Sequence, residues 1–588
     1  MIKQIMNSTK IMNTKIEQPA SNYIKESSRA TASSNRAAAT NSVSASASAV
    51  ISLKERLPEY LIWAAGVFLR LLYVLNSTIY DRQYDVGMID LAAGHTVSGG
   101  HLAYIQFLYE NGHLPDMDPT LVYQFNHPPF HYTISALWLR LASCFIGNTA
   151  QLEESLQMIP FLCSLALMVV LAKLLRIFEI KSSARCFAAA VFAFHPALIL
   201  LSGSVNNDCM GLLFSALCFF EAVMWYKAVM GNSSDFSGGG SIEKRSAWRH
   251  IICLAISMGL GIMTKQSVAI MAFPVGILFL YMMILVLPEW HKPYKQETEA
   301  PCDTAVSSHT TWITLSELVR QYVIFLIISV PLAMWFYIRN SVRYGTPLVW
   351  VYTLPEDSWQ YTGNASVVNR LLWPNISEFA ANLRKFQIGC GYNVWLQVMR
   401  TSVLGEWDMA NVSRSIKVAA LLLMLAGGAL GVITTALMIS EIILGSKETL
   451  SNLRMRHFIK FQMKKKEANS LDVVRYNSKE NTGYNSEESI RYTSKENNAA
   501  VMNWFSFGAY VIHMLFFLKF AYDYPQECSM NFRYITFCLI PPVLAAARYL
   551  QREESSRTGR KVIKHFIYTM TVLFCLLSVI MVIVWCFE

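Results

Sequence analysis

The chain has 588 residues, 53% of them hydrophobic and 15% charged, with a formal net charge of +10. Soluble domains carry about 25% charged residues, whereas here apolar residues gather into runs such as 157–172, 267–287 and 565–586. Runs close to the ~20 residues that cross a bilayer exclude a soluble enzyme, a disordered chain and a small disulfide scaffold. Basic residues sit mostly between the runs, as on cytoplasmic loops, so the charge points to a lipid bilayer and to no nucleic acid.

In chain order, residues 1–50 are rich in Ser, Ala, Asn and Thr and read as a disordered cytoplasmic tail. A first span is expected near 57–76, preceded by Lys54 and Arg56 on the inner side. The outer loop 77–127 holds Asp81, Asp85, Asp90, Glu110, Asp116 and Asp118 against one Arg82. The stretch 128–146, with His131 and Arg140 inside it, reads as an interfacial helix. Further spans are expected near 156–173, 185–203, 208–228, 250–264, 266–287, 320–338, 415–440, 503–521, 533–548 and 565–586. The expected fold is therefore an all-α polytopic membrane protein of about 11 transmembrane helices. Its N-terminus would be inside, its C-terminus outside, and its first extracytoplasmic loop large, with interfacial helices.

The organisation follows: a membrane module over 51–440 with a second outer loop at 340–412, a basic flexible cytoplasmic loop at 441–500, and C-terminal helices over 501–588. The cytoplasmic loop carries Lys464 to Lys466 and an eight-residue repeat beginning at Tyr476, Tyr484 and Tyr492. Most of the 12 cysteines lie in apolar runs and act as small hydrophobes. Cys390 and Cys528 fall on the outer side and could pair. The sequons at Asn76, Asn364, Asn375 and Asn411 lie on or near that side, those at Asn7 and Asn232 inside. The chain is expected to be an integral multi-pass membrane protein, and the sequence does not choose between endoplasmic reticulum and plasma membrane.

The polar residues with chemistry in them share the outer face. They are Asp81 and Asp85 in the first loop, His127 before Pro128-Pro129, Asn207 and Asp208 opening a span, and Lys265 between two spans. Arg339 and Tyr344 leave another span, Glu406 lies in the second outer loop, and Arg533 opens the tenth span. A transporter places charges near mid-span; here they stand at helix ends beside one interface. That layout suits a substrate with its tail in the membrane and its head group outside. A transporter or flippase of a lipid-linked or anionic substrate is the first alternative, and a catalytically inactive accessory protein the second.

The ordered set QYDVG, HPPFHY, SVNND, GIMTKQ, WFYIRNSVRYG, LGEW and NFRYITF, spread over roughly 55–550, resembles the membrane-embedded glycosyltransferases of the GT-C class. The resemblance leans to the branch of protein O-mannosyltransferases and lipid A aminoarabinose or sugar transferases. It implies a donor sugar on a polyprenyl phosphate, such as dolichyl or undecaprenyl phosphate, and inverting transfer to a hydroxyl acceptor on the lumenal or extracytoplasmic side. A hydroxyl needs a general base, for which Asp85 occupies the family's position and Asp81 is second. A leaving phosphate needs cations, for which Lys265, Arg339 and Arg533 stand at the right level. His127, Asn207, Asp208, Tyr344 and Glu406 are candidates for substrate contact, Asp208 equally for capping its helix and His127 equally for anchoring a turn. No cofactor is required by the sequence, and the acidic first loop leaves room for a divalent cation.

Overall fold

The computed structural model describes residues 56–81, 85–87, 89–90, 96–97, 99–231, 240–287, 313–348, 350–353, 355–372, 392–407, 409, 412–469, 486–552 and 558–587. The expectations for 1–50, Arg82, the Cys390 partner and the repeats at Tyr476 and Tyr484 lie outside these residues. Of the first compact unit, Met1–Tyr60, only Arg56–Tyr60 is described; the second unit is Leu61–Glu588.

The protein is an all-helical polytopic membrane protein with one two-residue ribbon. The helices are α1 (Arg56–Asn76), α2 (His101–Asn111), α3 (Phe130–Ala142), α4 (Thr149–Ile177), α5 (Ser183–Phe194) and α6 (Pro196–Gly203). They continue as α7 (Asp208–Val229), α8 (Gly240–Ile262), α9 (Gln266–Val286), α10 (Leu315–Tyr344) and α11 (Val394–Leu404). Last come α12 (Arg414–Asn469), α13 (Ser486–Asp523), α14 (Ile540–Arg552) and α15 (Thr558–Phe587). Strands β1 (Ile89–Asp90) and β2 (Thr96–Val97) pair antiparallel within the first loop.

Among the described residues eight helices are long and apolar enough to cross a membrane, and α5 with α6, bent by 53°, makes a ninth. Two of the eleven expected segments are not selected by length and apolarity alone. Residues 250–264 lie in α8, whose first half carries Lys244, Arg245 and Arg249. Residues 533–548 break into 3-10 turns before the 13-residue α14, about 20 Å long against the ~30 Å hydrocarbon layer. The 13-residue α3 is short in the same way, as the sequence led us to expect of 128–146. The expected flexible loop at 441–500 is helical at both ends, since α12 runs to Asn469 and α13 starts at Ser486. Its Lys, Glu, Met and Leu content favours helix wherever nothing opposes it.

The bend between α5 and α6 has a local cause. Pro196 has no N–H, so the carbonyl of Phe192 loses its helical donor. Arg70 on α1 supplies one: its guanidinium donates to the oxygens of Phe192 (3.3 Å), Ala193 (2.8 Å) and Gly66 (2.9 Å), and its Nε to Ser164 (2.9 Å). A fully buried cation on an apolar span is thus a structural pin. Elsewhere backbones approach closely: α8 packs on α7 and α10, and a Cβ on Gly259 would stand 2.6 Å from Leu332 Cβ, the small-residue contact common between membrane helices.

The main core joins α4, α5, α7, α8, α9 and α14, and a second joins α1, α11, α12 and α15. A third, small core belongs to the first loop: Ile79, Val86, Leu102, Tyr104, Phe125 and Tyr132 close between α2 and α3. Tyr104 stacks on Tyr132 at 4.4 Å and on Phe125 at 4.7 Å. The loop is therefore a folded cap able to hold a side chain in place. The outward faces of α1, α9, α10, α12 and α15 expose large apolar side chains, as surfaces turned to lipid must.

Candidate functional site

Asp85 is placed by a glycine pair. Gly99 and Gly100 have φ of 126° and 113°, a region closed to most L-residues. A Cβ on Gly100 would meet the carbonyl oxygens of Val86 and Gly87 at 2.5 Å. With that side chain absent, the start of α2 closes on the acidic segment. The His101 N–H donates to the Asp85 carbonyl (3.1 Å) and the Leu102 N–H to that of Val86 (2.9 Å). These are free donors of a helix N-terminus, so the acidic segment satisfies the helix and the helix fixes the segment.

Around Asp85 four other chain segments converge. Arg533, in a short turn before α14, donates to Asp85 Oδ2 at 2.7 Å. The same Nη1 is 3.5 Å from Glu406 Oε1 and 3.8 Å from Asp208 Oδ2. Lys265, extended between α8 and α9, is paired with Asp208 Oδ1. Lys265 and Arg533 both lie over the ring of Tyr534, at 4.8 and 5.3 Å, a further cation-stabilising contact. Asn531 donates to Glu406 Oε1 at 3.1 Å. On the other side His101 Nε2 is 3.4 Å from Asp85 Oδ2. Asp85 Oδ1 is buried and has no hydrogen-bond partner among the described residues.

The electrostatics follow from burial and charge together. Burial alone would raise the Asp85 carboxyl, but the Arg533 guanidinium and His101 outweigh it and hold the group well below the usual carboxylate range. Burial presses on Arg533 too, and Asp85 overcomes it, so the guanidinium stays charged. Burial and the neighbouring Arg533 push the Lys265 amine down to about 7, against the pull of Asp85. Burial, then His101 and Lys265, drives His127 well below its usual value and leaves a neutral ring.

A cavity of about 540 Å³ opens onto this cluster. Asp85, His127, Lys265, Glu406 and Arg533 line it, together with the apolar Trp350, Trp359, Phe516, Phe517 and Phe520. Gln397, Arg400 and Glu527 add a second polar group to the wall, with Arg400 and Glu527 3.2 Å apart and Gln397 donating to Glu527 at 2.8 Å. The polar and apolar walls together suit a molecule with a charged head and a long hydrocarbon tail.

The structure brings together Asp85, Lys265, Arg533, Glu406, Asp208 and His127 and sets the other candidates apart. Asp208 does not cap α7 with its side chain; Asn206 Oδ1 accepts from the Asp208 N–H at 3.0 Å, and the carboxylate turns to Lys265. Asn207 donates to the Thr264 carbonyl at 3.0 Å and ties α7 to the Lys265 segment. Asp81 accepts from the Thr78 N–H at 2.7 Å, a local turn contact. Arg339 is spent on the Pro115 carbonyl and Asn340 Oδ1, both at 2.9 Å. Tyr344 binds Asp116 at 3.0 Å beside Arg343. Arg339 and Tyr344 therefore brace the first loop from α10. Asp85, Asp208 and Glu406 all face Arg533, so their cationic partner is the protein's own. Among the described residues no group of three or more His, Cys, Asp or Glu is arranged to hold a metal.

His101 was missed in the sequence, and Asn206 and Asn531 were seen only as members of SVNND and NFRYITF, with no role assigned. For His101 the signal was present, as Gly99-Gly100 directly before a helix start.

Residues 121–342 match the family model described as dolichyl-phosphate-mannose-protein mannosyltransferase. The matched stretch includes His127, Asn207, Asp208, Lys265 and Arg339, while Asp85, Glu406 and Arg533 fall outside it. The match agrees with the GT-C resemblance read from the motifs. Among solved structures, the archaeal oligosaccharyltransferase AglB from Archaeoglobus fulgidus, in complex with an inhibitory peptide and a dolichol-phosphate, is 13% identical with a TM-score of 0.38. That alignment covers 89% of this chain and 56% of AglB, so this chain spans little more than half its length. ArnT from Cupriavidus metallidurans bound to undecaprenyl phosphate is 15% identical with a TM-score of 0.32, covering 83% of this chain and 76% of ArnT. No curated protein matches in sequence.

Proposed function

We propose that this GT-C-like chain is an inverting glycosyltransferase that moves a sugar from a polyprenyl phosphate to a hydroxyl acceptor on the extracytoplasmic or lumenal side. The observation that carries the reading is the state of Asp85. One oxygen is held by Arg533, the other has no partner among the described residues, and the carboxylate lines a cavity shared with Lys265.

The unpartnered Oδ1 takes the proton of the acceptor hydroxyl as its oxygen bonds to the anomeric carbon. On the opposite face the bond from that carbon to the phosphate oxygen breaks, and its electron pair leaves with the polyprenyl phosphate. A single displacement inverts the anomeric centre. Arg533 and Lys265 meet the charge growing on the phosphate, in a buried site where such contacts are strong. The apolar wall of Trp350, Phe516 and Phe520 receives the first isoprene units. The description of the matched family supports mannose on dolichyl phosphate as the first donor to try and a protein hydroxyl as the first acceptor. Such a donor would be met in a membrane that contains dolichyl phosphate.

The test uses the full chain reconstituted in liposomes with dolichyl phosphate mannose and Ser/Thr peptides, read by mass spectrometry for an added hexose. Wild type should transfer, and Asp85→Asn should lose about 10²- to 10⁴-fold, the contribution of a general base. Asp85→Asn that folds and turns over normally would remove the assignment. Donor binding with no transfer to any hydroxyl acceptor would point to the accessory role instead.

A further inference from the structure

The proposed reaction asks Arg533 to do two things in succession. At rest it holds Asp85 Oδ2 at 2.7 Å; in the reaction it must face a phosphate. As the guanidinium turns, the carboxylate loses its strongest orienting contact at the step where its aim matters. Some other group has to keep Asp85 pointed at the acceptor.

The geometry points to His101, backed by Tyr132, as the positioning residue that holds Asp85 when Arg533 engages the donor phosphate. His101 is buried, with its Nε2 3.4 Å from Asp85 Oδ2. Its other nitrogen, Nδ1, is 2.7 Å from the Tyr132 hydroxyl. A tyrosine O–H donating to Nδ1 fixes the tautomer in which Nε2 carries the hydrogen, and that hydrogen faces the carboxylate. The ring cannot drift: it stacks on His127 at 5.7 Å, its backbone N–H is bonded to the Asp85 carbonyl, and Tyr132 is clamped by Tyr104. At 3.4 Å the contact is longer than a full hydrogen bond; it shortens as Arg533 withdraws, as catalytic contacts do on substrate binding. The charged and titratable groups facing this unit are Asp85, Arg533, Lys265, His127, His131, Tyr104 and Tyr123. His101 touches the base and not the substrate, so its effect is on the rate of the chemical step.

This inference rests on Asp85 being the base, and the experiment separates the two. Transfer kinetics are measured with dolichyl phosphate mannose for Asp85→Asn, His101→Ala, His101→Gln and Tyr132→Phe in the full chain. The expected result is a kcat about 10²-fold lower for His101→Ala, the cost of misaiming a group by about 1 Å, with the donor KM unchanged. His101→Gln, whose amide N–H reaches where Nε2–H does, should recover most of that loss. Tyr132→Phe, which keeps the ring and drops the hydroxyl, should lower kcat in the same direction. If Asp85→Asn abolishes transfer but His101→Ala and His101→Gln both run at the wild-type kcat, this inference is wrong and the base stands. Equal losses in the Ala and Gln variants, or a loss confined to KM, would also overturn it. If Asp85→Asn is active, the reading beneath it has gone first.

Discussion

Replacing Arg533 by Gln tests the electrostatic frame at its centre. The guanidinium bonds Asp85 Oδ2 at 2.7 Å and lies within 3.8 Å of Glu406 and Asp208. The side chains of Arg533 and Asp85 are only 14% and 7% exposed. Removing one partner of a buried pair leaves the other charge uncompensated, at a cost of about 3–5 kcal/mol. Solvent reaching the cavity wall places the expected value at the lower end of that range. The pH dependence gives a sharper signature. In wild type the folded-state value of Asp85 is depressed, so its contribution to stability is present above the unfolded value of about 3.9 and lost as pH falls through the folded one. Without Arg533, burial and the two neighbouring carboxylates push Asp85 above its unfolded value, and the sign reverses: the variant should gain stability on mild acidification where wild type does not. Thermal unfolding followed by tryptophan fluorescence in detergent, across acid to neutral pH, reads both effects. Transfer should fall about 10²- to 10³-fold, as for loss of one oriented charge-stabilising group. A melting curve and pH slope indistinguishable from wild type would refute the claim that Arg533 compensates Asp85.

Two other variants probe separate parts of the account. Because Lys265 is pressed down to about 7, its charge is lost as pH rises through that value. Binding of dolichyl phosphate, measured by calorimetry on either side of it, should weaken on the alkaline side, and Lys265→Arg should remove that limb. Arg70→Met should destabilise the protein by about 2–6 kcal/mol, since the buried carbonyls of Phe192 and Ala193 lose their donors at roughly 1–3 kcal/mol each. A detergent-melting midpoint within error of wild type would mean that the break at Pro196 does not need the pin.

How much of this was legible beforehand depends on what kind of information each feature needs. Spans such as Gln266–Val286 and Lys561–Phe587 follow from hydropathy alone, because a bilayer tests average polarity over a fixed length. The segments 250–264 and 533–548 are less plain: charges at one end of α8, and a break ahead of Pro541-Pro542 in α14, are not visible in an apolar average. Asp208, Lys265 and Arg533 were legible because each flanks an apolar run, and a helix end fixes a residue's depth, whereas Asp85 and Glu406, inside the outer loops, were legible from the motifs QYDVG and LGEW. Depth does not fix direction. Arg339 leaves α10 at a similar level yet turns to Pro115, and only the packing of α10 against the first loop decides that. Asp208 was read as either cap or site residue; its carboxylate turns to Lys265 while Asn206 Oδ1 accepts from its N–H. His101 was out of reach for a third reason: its approach to Asp85 depends on two glycines at positive φ folding the chain back over fifteen intervening positions.

The most direct test is a structure of the full chain with polyprenyl phosphate bound, read at the phosphorus atom. The account predicts the phosphate between Lys265 and Arg533, Arg533 drawn away from Asp85, and Asp85 Oδ1 facing the space where the sugar's anomeric carbon would sit. A phosphate held elsewhere, for instance at Arg339 and Arg343 on the far side of the first loop, with the Asp85–Arg533 pair undisturbed, would contradict it.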